Sequence, residues 1–438
     1  MLMNELSVRM PRTRPLRVAL GSAFLASTFV GALAFAQAPA AAVPAAAVPA
    51  ATPTPGPAPQ PEATVPSVAA PPPPAPAAAP PPPPAPPPSD FPPISVGIWT
   101  RTSVAIQGDD PKKLNDIGFD TQFAELNFSG QIHRNVRLAT NVIANGLAGT
   151  VSIQDAWVGF DFVDELHFWV GQLLVPVDRA NKAGPFFAIP WNFLPGVFAV
   201  GATRVIVTPN EGTGGRGTGG VLWGDVLGGS LKYYLGAFLS PAANLAPHPL
   251  YSGRVSYAFI GKEKPGFGQA ACFYGAGDNT AVLSLGGQYQ KDGSVGPAPA
   301  TGAAPTDNYS EVNADLFGEF KLGGAGAFVN GEIDYYHYTG DFRIANDQFS
   351  VLAAYASPVI GYGQIQPMLR YQFATGDGVA GGNDRTEAAI DAQVGYLIRQ
   401  QRLRVIANYQ YTKLRNQPGA SGDVTGNKIQ FAVQAQFF

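Results

Sequence analysis

Residues 385–399 read RTEAAIDAQVGYLIR, and apolar and polar side chains alternate along them. Ala388, Ile390 and Val394 share one parity, whereas Asp391 lies on the other. Successive side chains of a β-strand point to opposite faces, so this stretch predicts a strand with one apolar and one polar surface. What surrounds the apolar surface, a protein core or lipid, then decides the fold.

The same alternation recurs along the chain from Ile94 onward. It is clear at residues 310–322 and 402–412, and Gly, Pro, Asn and Asp cluster between such stretches. About sixteen segments show it, with two weaker candidates at 202–208 and 268–276. Bacterial single-chain membrane barrels have an even number of strands, so the pattern predicts sixteen, with eighteen as the upper limit.

The composition excludes several classes of protein. Charged residues make up 13% of the chain, and 28 basic against 31 acidic groups give a net charge of −3, unlike a nucleic-acid binder. One cysteine and four histidines without metal-ligand spacing indicate no metal site and no cofactor, and no nucleophile–base set points to an enzyme. Beyond the N-terminus no apolar stretch reaches about 20 residues, which excludes a bundle of membrane helices.

Two architectures accommodate strands with one apolar face. The apolar faces form the core of a soluble sandwich or barrel, whereas in a membrane barrel they meet lipid and the polar faces line the interior. Here the apolar faces carry many Ala and Gly residues, which lipid tolerates better than a close-packed core does. We therefore predict an all-β, transmembrane antiparallel β-barrel over residues 94–438, with a secreted soluble β-protein as an alternative.

Aromatic residues near the strand ends fit the girdles that membrane barrels place at the two lipid interfaces. The predicted interface residues are Trp157, Trp169, Trp223, Tyr409 and Tyr411. The chain ends in an alternating strand on Phe437 and Phe438, similar to the signal by which bacterial outer-membrane barrels are recognised for insertion.

The N-terminus predicts export. Arginines before residue 18 precede an apolar run at 18–36 that ends in Ala34-Phe35-Ala36. These are the parts of a secretory signal peptide over residues 1–36, cleaved after Ala36. An uncleaved helical anchor is the alternative.

Residues 37–93 consist mostly of Pro and Ala. They offer few backbone donors and few large side chains to bury, so they predict a disordered linker with polyproline II character, located in the periplasm. A passive tether is the simpler interpretation, and contact with peptidoglycan is the sharper one.

Alternation stops after residue 174, where prolines and aromatics fill the segment 176–200. Pro residues exclude a central strand, and a long connection in a compact barrel commonly has a function. Folded into the lumen, the segment would form a pore constriction with Asp178, Arg179 and Lys182. The alternative is an extracellular loop packed on the rim or on a neighbouring subunit.

Charged residues at polar-face positions are the candidates for the lumen wall. They are Arg137, Asp155, Arg254, Glu319, Glu332, Asp334, Arg370, Asp391 and Arg404. Rings of charge bias which ions enter a pore, and this mixed, slightly acidic set predicts weak selectivity with a preference for cations.

Three motifs resemble those of the phosphate-selective porin O and P family: DAWVG at 155–159, VGQLLVP at 170–176 and GRGTGGV at 215–221. The resemblance implies a sixteen-stranded, trimeric outer-membrane channel. Phosphate selectivity does not follow, because no ladder of basic residues matches the family position by position.

The sequence thus predicts a porin in the outer membrane of a Gram-negative bacterium, passing small hydrophilic solutes or ions by diffusion. Its expected partners are outer-membrane lipid, the solutes and two further copies of the chain. A structural role, in which the Pro-rich arm links the outer membrane to the cell wall, is the alternative.

Overall fold

The computed structural model of the chain describes residues 94–108, 114, 116–147, 149–192, 215–239, 248–295, 303, 305–323, 326–341, 345–376, 384–416 and 422–437. The predicted signal peptide, the Pro/Ala-rich linker, the strand candidate at 202–208, residues 193–200 and Phe438 lie outside this part of the chain.

The described residues form sixteen strands. Their bounds are β1 (Ile94–Gly108), β2 (Asp116–His133), β3 (Val136–Asn145), β4 (Thr150–Val163), β5 (Leu166–Leu174), β6 (Arg216–Val226), β7 (Leu231–Leu239), β8 (Leu250–Ile260), β9 (Thr280–Val295), β10 (Thr306–Leu322), β11 (Ala327–Thr339), β12 (Asp347–Ala356), β13 (Gln364–Gly376), β14 (Arg385–Leu397), β15 (Leu403–Arg415) and β16 (Val424–Phe437). A short helix, α1 (Arg179–Ala183), follows β5, and a single 3-10 turn covers Leu227–Gly229. Within the described ranges, neither helical piece has the length or the apolar character to cross a membrane.

The strands form one closed antiparallel barrel in which each pairs with its neighbours in sequence. Closure joins β1 to β16, with Ile98 opposite Phe437. The predicted antiparallel barrel of sixteen strands is therefore confirmed. The weaker strand candidate at 268–276 is wrong: these residues lie in the connection between β8 and β9.

The two faces of the barrel wall differ as the alternation requires. On β14 the outward Ile390 and Val394 are exposed by 41% and 51%, whereas the inward Asp391 and Gln393 are buried. Their cross-strand partners obey the same parity, with Asp391 opposite Gln410. An apolar outer face and a polar inner face are the arrangement that hydrocarbon surroundings stabilise, because lipid accepts no unpaired polar group.

The strand termini Ile94 and Phe437 lie at one end of the barrel, here called the terminal end. Most connections at this end are short: 134–135, 164–165, 227–230, 323–326, 357–363 and 398–402. The exception is residues 261–279, here called the β8–β9 segment. At the opposite end β5 leads into residues 175–192, here called the crossing segment. Both segments lie largely buried inside the barrel.

Candidate functional site

The crossing segment begins with one turn of helix. Pro176, Pro185 and Pro190 cannot donate to a β-ladder, so the chain leaves the sheet here. The Asp178 carboxylate accepts a hydrogen bond from the backbone N of Asn181 at 2.8 Å and caps the N-terminus of α1. This cap fixes the direction in which the helical side chains point.

Arg179 of α1 joins the crossing segment to the barrel wall and to the β8–β9 segment. Its guanidinium lies 2.9 Å from Asp315 on β10 and 2.9 Å from Glu263. It also donates to the carbonyl of Ala270 at 2.7 Å and lies over the ring of Phe317. Arg179 is fully buried, so these contacts replace all of its hydration.

The far end of the crossing segment contacts the opposite wall. The carbonyl of Ile189 accepts hydrogen bonds from Gln393 at 2.9 Å and Arg404 at 3.1 Å. The backbone N of Trp191 donates to Gln393, and Arg101 both donates to the Trp191 carbonyl and lies 3.8 Å over its ring. The segment therefore spans the interior from β5 to β1, β14 and β15.

Lys182 points into an aromatic pocket. Its ammonium Nζ lies 3.8 Å from the ring centroid of Tyr234 and 3.5 Å from that of Phe267. Within the described residues this Nζ has no hydrogen-bond partner. Burial lowers the pKa of Lys182, and the nearby charge of Lys232 lowers it further. All three predicted constriction residues thus lie in the crossing segment but contact protein rather than an open channel.

Asp178 gives the crossing segment a pH dependence. The carboxyl is buried, and burial, together with the charge of Asp315, raises its pKa to about 6, against opposing hydrogen bonds from Asn181 and Ala180 and the charge of Arg254. If the segment left the barrel interior, the Asp178 carboxyl would have a pKa near its ordinary value of 3.8. Asp178 therefore stabilises the seated position of the segment by on the order of 3 kcal/mol below pH 3.8. This stabilisation is lost as pH rises through about 6.

We expect Asp178→Asn to remove most of this pH dependence, because Asn caps a helix about as well as Asp but carries no titrating proton. Single-channel recordings between pH 4 and pH 8 should show the wild type switching more often between conductance levels above pH 6, and the variant changing little. Asp423→Asn, at an exposed rim position, is the matched control. Equal pH profiles of the wild type and Asp178→Asn would contradict the assignment.

The predicted lumen-wall residues between β8 and β15 lie on the inner face, yet they are buried. They are Arg254, Glu319, Glu332, Asp334, Arg370, Asp391 and Arg404. Several hold the inserted segments: Arg254 donates to the Val177 carbonyl, and Arg370 donates to the Asn192 carbonyl at 2.6 Å. Arg370 also pairs with Asp391 at 2.9 Å. Protein therefore covers the inner face between β8 and β15, whereas the sequence predicts that these residues line a water-filled lumen.

The more exposed part of the inner face lies on β2 to β4. Arg137 has a side chain 46% exposed and pairs with Asp161 at 2.5 Å. Asp155 pairs with Arg216 at 3.2 Å, and both are partly exposed. The charge that water reaches on this side of the interior is consequently arranged as opposite-sign pairs.

Three predicted interface aromatics face inward instead. Trp157 stacks on Trp169 with ring centroids 3.9 Å apart, and Trp169 meets Trp223 edge to face at 5.3 Å. Trp169 and Trp223 are buried inside the barrel, so their assignment to the lipid interface is wrong. Parity explains it, because Trp157 shares the inward parity of Asp155 and Asp161 in β4.

The remaining predicted aromatics lie on the outer face. Tyr409 is 36% exposed and donates to the side chain of Asn427 at 2.8 Å, and Tyr411 shares its parity. Phe437 is 73% exposed at the end of β16. Their roles at the interface and in insertion remain predictions, and Phe438 lies outside the described residues.

Sequence reasoning missed the polar residues of the β8–β9 segment. Glu263 pairs with Arg179, and Gln269 accepts from Arg254 at 2.6 Å while donating to Ser256 at 2.7 Å. The signal was the length of the segment, and its Gly and Pro content, at an end where turns are ordinarily short.

Comparison by sequence finds no relative: no protein-family model matches the chain, and no curated protein matches it.

Comparison by structure finds outer-membrane barrels. OprB of Pseudomonas putida matches with a TM-score of 0.53 at 10% identity, covering 78% of this chain and 94% of that one. The anion-selective porin from Comamonas acidovorans matches with a TM-score of 0.50 at 12% identity, covering 78% and 99%. OmpT of Vibrio cholerae, in its trimer form, matches with a TM-score of 0.50 at 14% identity, covering 80% and 100%. At such identities the likeness concerns the fold, and the chain has the β-barrel fold of these outer-membrane proteins.

Proposed function

We propose that the protein is an outer-membrane porin through which small hydrophilic solutes or ions diffuse passively. The observation that carries the proposal is the closed sixteen-stranded barrel with an apolar outer face, a polar inner face and a segment crossing its interior. A barrel of this circumference is wide enough to enclose an aqueous channel. The structural similarity to the anion-selective porin from Comamonas acidovorans supports the same function.

The solute route runs along the inner face of β2 to β4. Gln131 and Arg137 are exposed there, and Asn127, Asp155 and Asp161 are half-buried. The crossing segment and the β8–β9 segment cover the inner face between β8 and β16, so the passage is off-centre and narrow. Paired charges along it favour weak selectivity, with a preference for cations from the acidic surplus of the wall.

The protein is exported and inserted with its terminal end toward the periplasm, because short turns face the periplasm in outer-membrane barrels. Signal-peptide cleavage after Ala36 and a periplasmic position for residues 37–93 are part of this proposal. Mass spectrometry of the mature protein from outer-membrane fractions tests both: an N-terminus at Gln37 is expected.

Planar-bilayer recording of the purified full-length protein tests the function. We expect stepwise insertion events with a steady ohmic conductance, and uptake of small sugars into liposomes that carry the protein. A bilayer that stays sealed after verified insertion would refute diffusion through the barrel.

We expect Arg137→Gln to shift the reversal potential in a salt gradient toward cation preference. The change removes an exposed positive charge from the inner face, and Asp161 loses its ion pair with Arg137. Arg134→Gln is the matched control, because Arg134 lies in the β2–β3 turn near bulk solvent, where screening weakens its field. Equal shifts in the two variants would place the selective charges elsewhere.

The assembly we propose is a homotrimer of the phosphate-selective porin O and P type. The three motifs that resemble this family lie on the adjacent strands β4, β5 and β6, around the start of the crossing segment. The trimer form of the similar OmpT barrel supports the same stoichiometry. Native mass spectrometry in detergent tests it, and a monomer mass across the working concentration range would refute it.

A structural role is the second candidate function, favoured by the extent to which protein fills the interior between β8 and β16. In that case the barrel is an anchor and residues 37–93 bind peptidoglycan. Retention of a 37–93 peptide on purified peptidoglycan, together with a sealed bilayer, would select this role over the porin.

A further inference from the structure

The β8–β9 segment enters the barrel from the terminal end, opposite to the crossing segment. The strands it joins are already paired, with Ile260 opposite Ala281 at the hairpin end. A two-residue turn would close this hairpin, so the length of the segment is not needed for the connection. Most of the segment is buried or half-buried, which means that it packs against the inner wall.

Glu319 on β10 holds the middle of the segment. Its carboxylate accepts hydrogen bonds from the backbone N of Phe273 and of Gly275, both at 2.8 Å, and from the Cys272 thiol at 3.2 Å. The backbone turns tightly around it, with Tyr274 and Gly275 at φ +54° and +73°. A non-glycine residue in this left-handed region is strained, and here the strain is offset by the hydrogen bonds to one buried carboxylate.

The segment also contacts the crossing segment directly. Glu263 pairs with Arg179 at 2.9 Å, and the Tyr274 hydroxyl donates to the Ala188 carbonyl at 3.3 Å. The Phe267 ring lies under the Lys182 ammonium. Two segments that enter from opposite ends are thus joined inside the barrel by an ion pair, a hydrogen bond and a cation–π contact.

The segment has space beside it on the terminal side. A cavity of about 540 Å³ lies between it and the turn that joins β14 and β15, with Lys262, Lys264, Asp278 and Gln401 in its lining. This side of the segment therefore faces open volume and not the packed wall. The turn still contacts the segment through Gln400, which donates to the Tyr274 carbonyl at 3.4 Å.

We propose that the β8–β9 segment is a second constriction element, which sets the size limit of the channel from the terminal end and is positioned by Glu319 and by the Glu263–Arg179 pair. The inference rests on the proposed porin function. It assigns part of the size selection to a connection at the end where such barrels ordinarily carry short turns.

The first test replaces residues 262–278 by Asn-Gly in the full-length chain and records single channels. We expect conductance to rise at least about twofold, since the lumen would lose one of the two segments that fill it, and larger sugars to enter liposomes. A folded variant, shown by its mobility on unheated gels, with wild-type conductance would overturn the inference while the porin function stands. If neither the wild type nor the variant conducts, the porin function fails as well; if only the variant conducts, the segment closes the pore.

The second test keeps the chain length and uses Cys272, the single cysteine of the protein, as a reporter. Burial raises the pKa of its thiol, and Glu319 raises it further, so the seated segment should react slowly with a water-soluble maleimide. We expect Glu319→Ala to accelerate labelling at least about tenfold and to raise conductance, with Glu319→Gln intermediate. Ser350→Ala, on the buried inner face of β12, is the control. Rapid labelling of the wild type, or unchanged conductance in a Glu319→Ala variant that labels rapidly, would overturn the proposal.

Discussion

Replacing Arg179 by alanine is expected to release the crossing segment from the wall while the barrel stays closed. The substitution leaves Glu263 buried without the cation that pairs with it, whereas Asp315 keeps its ion pair with Arg254. Breaking a buried ion pair on one side costs about 3–5 kcal/mol, because the remaining charge has no compensation. The sixteen-stranded ladder does not depend on this contact, so the cost falls on the seating of the segment.

Limited proteolysis measures the effect. Chymotrypsin cuts after aromatic residues, and Phe186, Phe187 and Trp191 of the crossing segment are buried or half-buried in the wild type. Cleavage through a transiently released segment follows the population of that state, so the loss should raise the cleavage rate by about two orders of magnitude or more. Single-channel conductance should rise in parallel.

Arg415→Ala is the matched control for the Arg179 variant. Arg415 also lies near an acidic partner, Asp423 at 3.6 Å, but its side chain is 60% exposed. Exposed pairs contribute about 1 kcal/mol or less, so proteolysis and conductance should stay near wild type. A wild-type cleavage rate in Arg179→Ala would show that the segment is held by its other contacts alone.

The barrel was predictable from the sequence because one local rule repeats in every strand. Lipid outside and a polar inside select for strict alternation, so residues such as Ile390 and Asp391 indicate their faces without knowledge of any distant contact. Closure follows from the requirement that no edge stays unpaired in the membrane, and an even strand number allows the closing pair, β1 with β16, to be antiparallel like the others.

What fills the interior was not predictable in the same way. Parity places Glu319 and Arg404 on the inner face but does not tell whether water or protein meets them there. Their partners, Gly275 and Ile189, are distant in sequence and lie in segments without periodicity. The polar wall was therefore predicted as the lining of an open lumen, whereas the structure shows much of it holding two inserted segments.

The inward tryptophans show the opposite case, in which two local signals in the sequence disagree. The position of Trp157 and Trp169 near strand ends predicts the lipid interface. Their parity, shared with Asp161 and His167, indicates the inner face. In a barrel the two-residue period decides orientation, and position along the strand decides only depth.

Gly286→Ala is expected to displace the start of the crossing segment, although the substitution removes no side chain that contacts the segment. A Cβ at this inward position of β9 would lie 2.1 Å from the carbonyl oxygen of Val177 and 2.7 Å from the Asn313 side chain. The Val177 carbonyl accepts a hydrogen bond from Arg254, and it would have to shift to make room for the new Cβ. Overpacking of this kind costs about 1–3 kcal/mol of stability.

The displacement should raise chymotrypsin cleavage of the crossing segment about 5-fold to 150-fold, since a loss of about 1–3 kcal/mol changes the released population by these factors. It should also make single-channel currents noisier. Gly395→Ala is the matched control on the same inner face, because its Cβ would meet nothing nearer than 3.7 Å. If both variants behave like the wild type, the crossing segment does not lie against β9 at Gly286. If cleavage rises equally in both variants, the effect comes from replacing a glycine in a strand. The close approach of Val177 to Gly286 would then not be the contact that positions the segment where it enters the barrel.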